Sequence, residues 1–144
     1  MSSKKTVLLA DDELIHLVSY RDYLEDAGFR VIAVEDALGV EKHFGEARAL
    51  VVDARLPTAR LEGLEVVAKL LRDGTLEPTV AVIFISVHSE DDDVCQQKFK
   101  DLFKELPQLK GRYVWLQKHF ELEMLLKTIE DELARRQGYL GPLQ

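Results

Sequence analysis

Short runs of apolar residues alternate with longer segments of helical spacing along the chain, and this alternation repeats five times. The apolar runs cover residues 6–10, 29–34, 49–52, 80–85 and 113–116. Each run is followed by apolar positions three or four residues apart, which is the spacing of a helix with one buried face. The pattern therefore predicts five strands, each followed by an amphipathic helix.

Residues that stop helices separate these segments. Gly28 follows the first predicted helix, Gly74 follows the third, and Pro107 follows the fourth. Glycine adopts the left-handed conformation at a helix C-terminus, and proline cannot continue a helix. The last helix has a regular apolar stripe, formed by Leu122, Leu126, Ile129 and Leu133.

Uninterrupted apolar strands indicate a parallel sheet that is covered by helices on both faces. With right-handed crossovers, the order of elements predicts one three-layer (βα)5 domain of the α/β class. The length of 144 residues is enough for one such core. We expect the domain to occupy residues 1–137 and residues 138–144, with two glycines and a proline, to form a flexible tail.

Composition and charge narrow the range of partners. The chain is 47% hydrophobic and 31% charged, and its net charge of -7 disfavours direct binding to the phosphate backbone of nucleic acids. Cys95 is the only cysteine, which excludes an internal disulfide and favours a reducing compartment. No apolar segment approaches the length of a membrane span or a signal-peptide core. We therefore expect a cytoplasmic protein with protein partners and no membrane association.

Polar residues stand at the C-terminal ends of four predicted strands, where an open parallel sheet binds its ligands. Asp11 and Asp12 follow the first strand, Asp53 the third, Ser86 the fourth and Lys118 the fifth. Three neighbouring carboxylates repel one another unless a cation lies among them, and oxygen ligands suit Mg2+. A carboxylate can attack phosphorus to form an acyl phosphate, and an ammonium group can stabilise the phosphoryl oxygens. The sequence thus predicts magnesium-dependent phosphoryl chemistry at this edge.

The residues around these positions resemble the signature strings of bacterial two-component response-regulator receiver domains. The resemblance extends over about residues 6–136, nearly the whole chain. It rests on VLLADDE at 7–13, LVVD at 50–53, the pair Leu56 and Pro57, IFIS at 83–86, and WLQK at 115–118.

This resemblance implies a flavodoxin-like, doubly wound sheet with strand order 2-1-3-4-5. It implies that Asp53 accepts a phosphoryl group. It also implies that Asp11, Asp12 and Asp53 hold Mg2+ together with the backbone carbonyl of Arg55.

The resemblance further implies that Ser86 and Lys118 sense the phosphoryl group, and that Trp115 occupies the place of an aromatic residue that moves inward on activation. The phosphodonor would be a histidine kinase or a histidine phosphotransfer protein. A downstream effector or a second copy of the chain would bind through the fourth helix, fifth strand and fifth helix. Such a domain is a signalling protein rather than an enzyme, and it catalyses only its own phosphorylation and dephosphorylation.

The chain departs from the family pattern at several places. Val87 stands where the family prefers alanine or glycine. His119 stands where a proline usually forms a cis peptide bond, and because a non-proline cis bond costs about 3 kcal/mol, we expect the turn to form another way. The loop at 57–63 and the segment between Ser86 and Lys118 are longer than usual. The extra length near residues 100–112 suggests a partner surface specific to this chain.

The four histidines show no metal-ligand spacing and are predicted to be mainly surface residues. His88, two residues after Ser86, is the exception, because it could reach the phosphoryl group. The side chain of Arg55 could do the same, and either residue would tune hydrolysis of the acyl phosphate.

Three other functions compete with the receiver interpretation. A pseudo-receiver would use the same fold as a phosphorylation-independent interaction module; Val87 and the missing proline favour it, and the intact acidic and basic residues oppose it. Other enzymes that form aspartyl phosphates generally need an acid two residues after the nucleophile, where this chain has Arg55. A flavin-binding protein would need a phosphate-binding loop rich in serine, threonine and glycine after the first strand, which is absent.

Overall fold

The computed structural model of the chain describes residues 5–55 and 61–140. Strands and helices alternate, as the sequence pattern predicts. The five strands are β1 (Thr6–Ala10), β2 (Arg30–Val34), β3 (Ala49–Asp53), β4 (Ala81–Ser86) and β5 (Val114–Gln117). The helices are α1 (Leu14–Asp26), α2 (Ala37–His43), α3 (Glu62–Arg72), α4 (Asp93–Glu105) and α5 (Leu122–Leu140), and 3-10 turns follow α2 (Phe44–Glu46) and α4 (Pro107–Leu109).

All five strands form one parallel sheet in the order β2-β1-β3-β4-β5, which confirms the predicted order and the flavodoxin-like fold. The strand order changes direction between β1 and β3, and ligands bind open α/β sheets at such a switch point. Ala10 of β1 is paired with Val52 of β3, so the next residues, Asp11 and Asp53, emerge side by side at this point.

The core lies on both faces of the sheet, because successive side chains of a strand point to opposite sides. Leu8, Leu50 and Phe84 belong to the cluster on one face, which α2, α3 and α4 cover. Leu9 and Ile83 belong to the cluster on the other face, which α1 and α5 cover. Every residue of β1, β3 and β4 is buried, which explains why their sequences are uninterrupted apolar runs.

Helix α5 packs with a stripe that is displaced from the predicted one. Leu125 and Ile129 are fully buried, whereas Leu122 and Leu126 are only partly buried. The sequence contains two overlapping apolar stripes on this helix, and helical spacing alone does not decide which of them faces the sheet.

Helix α5 continues to Leu140, so it includes the first three residues of the predicted tail. Residues 141–144 lie outside the described residues, and the flexibility of the tail stays a prediction. Among the helices at 5–55 and 61–140, none combines the length and the apolar character that crossing a bilayer requires.

Candidate functional site

Three carboxylates meet at the C-terminal edge of the sheet, and we call Asp11, Asp12 and Asp53 the acid pocket. Asp11 follows β1 and is fully buried, Asp53 ends β3 and is 8% exposed, and Asp12 is exposed. One carboxylate oxygen from each lies within 4.8 Å of the others. This all-oxygen set fits a hard divalent cation such as Mg2+.

Crowding of negative charge in the acid pocket is visible at Asp12. Although Asp12 is exposed, the neighbouring protein removes part of the hydration of its carboxylate and raises its pKa. The charges of Asp53, Asp11 and Glu13 raise it further, and a backbone hydrogen bond at Asp12 opposes the shift. A bound cation would relieve this repulsion.

Lys118 brings a positive charge to the acid pocket from the end of β5. Its ammonium group donates hydrogen bonds to Asp11 Oδ2 and Asp53 Oδ2, both at 2.9 Å, and its side chain is 1% exposed. Burial alone would lower the pKa of Lys118, but the hydrogen bonds to Asp11 and Asp53 and their charges outweigh burial and raise it. Lys118 is therefore a charged counter-ion shared by two buried carboxylates.

Backbone groups fix the orientation of both buried carboxylates. Asp53 Oδ1 accepts a hydrogen bond from the backbone N–H of Arg55 at 2.9 Å, and Asp11 Oδ1 accepts one from Glu13 at the same distance. In each case the other oxygen turns towards Lys118. The predicted metal contact of the Arg55 carbonyl remains a prediction.

Ser86 ends β4 beside this group and is 1% exposed. Its hydroxyl oxygen accepts a hydrogen bond from the backbone N–H of His88 at 3.1 Å, and its carbonyl accepts one from the backbone N–H of Lys118 at 2.7 Å. The second bond ties the ends of β4 and β5 together, so Ser86 and Lys118 are held in a fixed relation.

Side chains of β5 and of Tyr113, the residue before it, are hydrogen-bonded to the loop that follows Ser86. Trp115 is partly buried and donates from Nε1 to the carbonyl of His88 at 3.1 Å, and the Tyr113 hydroxyl donates to Glu90 at 2.6 Å. A displacement of the loop would therefore change the hydrogen bonds of Trp115 and Tyr113. The inward movement of Trp115 on activation remains a prediction.

The loop after Asp53 contacts the start of helix α4, and the sequence pattern did not predict this contact. The Arg55 guanidinium donates to Asp92 Oδ2 at 3.2 Å, and the same oxygen caps α4 by accepting from the backbone N–H of Val94 at 3.2 Å. The side chain of Arg55 is thus directed towards α4, whereas that of His88 is exposed. An aspartate before an apolar helical segment is a recognisable capping signal, but its partner across the fold is not.

His16, which was predicted to be mainly a surface residue, is partly buried and contacts the site. Its side chain is 26% exposed, and its Nδ1 atom lies 3.4 Å from Lys118 Nζ, 3.7 Å from Glu13 Oε2 and 3.9 Å from Asp11 Oδ2. Asp11, Glu13 and His16 form a second group that could hold a metal ion, overlapping the acid pocket at Asp11. The available signal was the position of His16 one helical turn after Asp12.

The peptide bond between Lys118 and His119 is cis, so the prediction that the turn forms without a cis bond was wrong. That prediction considered only the local cost of the bond, and the tertiary contacts of Lys118 cannot be read from sequence. Leu56, Pro57 and the rest of the loop to residue 60 lie outside the described residues, and the predictions about them are untested.

Comparison with known proteins identifies the family. The response regulator receiver domain family matches residues 7–106. The chain therefore belongs to the response regulator receiver domain family, as its signature strings indicate. No protein of curated function matches the chain significantly.

Solved structures share the fold of this chain. A response regulator receiver protein from Sinorhizobium medicae WSM419 is 26% identical, with a TM-score of 0.70 over 93% of this chain and 98% of that one. A CheY-like receiver domain protein from Methanospirillum hungatei JF-1 shares the fold at 19% identity, with a TM-score of 0.74 over 95% of this chain and 99% of that one. NtrX from Brucella abortus, at 20% identity and a TM-score of 0.73, is covered over only 30% of its length, while 99% of this chain is matched.

Proposed function

We propose that this chain accepts a phosphoryl group on Asp53 from the phosphohistidine of a histidine kinase or a histidine phosphotransfer protein. The observation that carries the proposal is the placement of a nearly buried Asp53 carboxylate beside Asp11, Asp12 and the Lys118 ammonium group. This arrangement combines a nucleophile, oxygen ligands for a cation and a fixed positive charge within one pocket.

In the proposed reaction, a carboxylate oxygen of Asp53 forms a bond to phosphorus, and the phosphorus–nitrogen bond of the phosphohistidine breaks. The donor imidazole leaves with the electron pair of that bond and takes up a proton. Lys118 would neutralise the phosphoryl oxygens, a role supported by the hydrogen bond from its ammonium group to Asp53 Oδ2. Attack of water on the same phosphorus would later return Asp53 to its carboxylate form.

Mg2+ fits the acid pocket, because all the available side-chain donors are carboxylate oxygens. Asp11, Asp12 and Asp53 would hold the ion, with the backbone carbonyl of Arg55 as a further ligand. When bound, the ion supplies positive charge that offsets the charge on the phosphoryl oxygens. The carboxylates orient it, and the backbone hydrogen bonds to Asp11 and Asp53 keep them in position.

The signal would leave the site through the loop after Ser86. A hydrogen bond from Ser86 to the phosphoryl group would compete with the contact that it makes to His88 and would shift the loop bonded to Trp115. The conformation of the surface formed by α4, β5 and α5 would then change, and with it the affinity of this surface for a downstream effector or a second copy of the chain. We place this exchange in the cytoplasm, where histidine kinases present their phosphohistidines.

The proposal is tested by following Trp115 fluorescence during addition of Mg2+ and then beryllofluoride, which mimics an acyl phosphate. Trp115 is the only tryptophan and is bonded to the responding loop, so we expect a saturable change that requires Mg2+. Asp53→Asn should abolish the change, because the mimic needs the carboxylate oxygen.

Asp131→Asn is the matched control, because Asp131 is an exposed acid whose side chain is 67% accessible. It should respond like the unaltered chain. If the unaltered chain shows neither a fluorescence change nor a shift in melting temperature, the proposal is wrong and the chain acts as a phosphorylation-independent interaction module.

Exposed apolar side chains lie at the same edge of the sheet as the acid pocket and suit a protein donor; we call them the apolar rim. Among residues 5–55 and 61–137, every exposed large hydrophobic side chain lies in the first turn of a helix or directly after a strand, at this edge of the sheet. Exposed apolar groups that cluster at one place usually mark an interaction surface. The rim consists of Leu14, Ile15, Leu38, Val87, Val94 and Met124.

Ile15 is the most exposed member of the rim, at 83%, and its replacement should separate docking from chemistry. We expect Ile15→Ser to slow transfer from a phosphorylated histidine phosphotransfer protein about tenfold, because an apolar contact at the interface is lost. Transfer from phosphoramidate, which needs no docking surface, should be unchanged. Equal slowing with both donors would show that Ile15 supports the site and does not contact a partner.

A further inference from the structure

His16 lies in the first turn of α1, at the edge of the acid pocket. It contacts Lys118, the residue that is hydrogen-bonded to both buried carboxylates of the pocket. Its Nδ1 atom lies 3.4 Å from Lys118 Nζ. The proposed phosphoryl transfer assigns roles to Lys118 and the three aspartates, but none to this imidazole.

The chemistry of the two groups fixes the direction of the contact. An ammonium group has three N–H donors and no acceptor, so in a hydrogen bond between the two groups Nδ1 of His16 is the acceptor and carries no proton. His16 is then the neutral tautomer with its proton on Nε2. Asp11 Oδ2, Asp53 Oδ2 and His16 Nδ1 together provide one acceptor for each N–H of the ammonium group.

Aromatic packing holds the imidazole in place. His16 stacks on Tyr20, one turn further along α1, with ring centroids 5.8 Å apart and an interplanar angle of 21°. Tyr20 in turn packs against Phe120 with centroids 5.5 Å apart. Phe120 lies two residues after Lys118. The same aromatic contacts therefore connect the segment that carries the donor, Lys118, with the helix that carries the acceptor, His16.

We propose that His16 is a positioning residue that holds the Lys118 ammonium group beside Asp53 during phosphoryl transfer; this inference rests on the proposed function. Phosphorylation converts the Asp53 carboxylate into an acyl phosphate, and a cation bound by Asp11 would partly neutralise the charge of its carboxylate. Both charged acceptors of Lys118 are therefore altered during the reaction. The neutral imidazole is unchanged, and it keeps the ammonium group directed at the place where the phosphoryl oxygens arrive.

Two substitutions distinguish the contribution of the Nδ1 acceptor of His16 from that of its aromatic ring. His16→Asn places an amide oxygen near the position of Nδ1 but removes the stacking ring, whereas His16→Phe keeps a ring against Tyr20 but has no acceptor. The measurements are the initial rate of phosphorylation by phosphoramidate at saturating Mg2+ and the affinity for beryllofluoride.

We expect His16→Phe to lower both quantities about tenfold, which corresponds to about 1.4 kcal/mol. His16→Asn should remain close to the unaltered chain, since rescue depends on the acceptor. A His16→Phe variant as fast as the unaltered chain would overturn the proposal. So would a His16→Asn variant as slow as His16→Phe, because the ring and not the acceptor would then matter.

A spectroscopic measurement tests the contact without phosphoryl chemistry. The nitrogen chemical shifts of the His16 imidazole, assigned by comparison with His16→Phe, should show a protonated Nε2 and an unprotonated Nδ1 at mildly alkaline pH. A protonated Nδ1 would overturn the inference even in a chain that is phosphorylated normally. A chain that shows the expected tautomer but takes no phosphoryl group would instead refute the proposed function.

Discussion

Lys118→Met is expected to lower the free energy of unfolding by about 3–5 kcal/mol in the absence of divalent cations. The substitution keeps an unbranched side chain that is one atom shorter, replaces one methylene group by sulfur and removes the ammonium group. Asp11 and Asp53 would then share a buried pocket with no counter-ion, and both their desolvation and their mutual repulsion would oppose folding. Chemical denaturation of the variant and the unaltered chain measures the difference.

The sign of the pH dependence fixes the conditions of this experiment. Folding raises the pKa of Lys118. The contribution of its charge to the free energy of unfolding is therefore complete below the unfolded-state pKa, and this contribution is lost as the pH rises through the folded-state pKa. A measurement at neutral pH therefore captures the whole contribution.

Lys127→Met is the matched control, because it makes the same chemical change in an exposed pair with Asp131, one helical turn away on α5. It should alter stability little, since water screens exposed pairs. Addition of Mg2+ should restore much of the stability of Lys118→Met, as the ion replaces the missing charge. Equal effects of the two lysine substitutions would show that the contacts of Lys118 contribute no more than a surface ion pair.

The strand ends explain why so much of the site could be predicted from sequence. A strand buried on both faces is visible as an apolar run, and the residue that ends the run must lie at the edge of the sheet. Asp11, Asp53, Ser86 and Lys118 are all such residues, and the structure brings them together at the switch point between β1 and β3 and on its neighbouring strands. Their function as a phosphoryl site follows from the proposal and is not tested by this geometry.

Contacts between elements distant in sequence could not be predicted in the same way. Arg55 meets Asp92, and His16 meets Lys118, across packed elements whose relative rotation is set by the whole core. Neither pair has a spacing that periodicity can detect. His16 was assigned to the surface because one polar residue in the first turn of a helix gives no sign of its direction, which depends on how α1 packs against β1, β2 and α5.

Gly63 is a further residue whose importance becomes visible only in three dimensions. It lies in the first turn of α3, and its backbone N–H donates to the carbonyl of Ala54 at 3.1 Å. A Cβ atom at this position would lie 1.9 Å from the carbonyl oxygen of Asp53 and 2.9 Å from Cγ1 of Val52. The absence of a side chain is thus what lets α3 begin directly against the end of β3.

Gly63→Ala is therefore expected to lower the free energy of unfolding by at least about 2 kcal/mol and to weaken beryllofluoride binding. The obstructing atom is backbone oxygen, which cannot rotate away as a side chain would, so α3 or the end of β3 must move and Asp53 must move with it. Gly45→Ala is the matched control: a Cβ there meets nothing within 4 Å, and the substitution should be neutral or stabilise by about 0.4–1 kcal/mol by restricting the unfolded chain. Denaturation curves and beryllofluoride titrations of both variants separate the two cases. A Gly63→Ala variant as stable as Gly45→Ala would mean that α3 can withdraw from β3 at no cost, and the position of Asp53 would then have to be fixed by its hydrogen bonds to Arg55 and Lys118 alone.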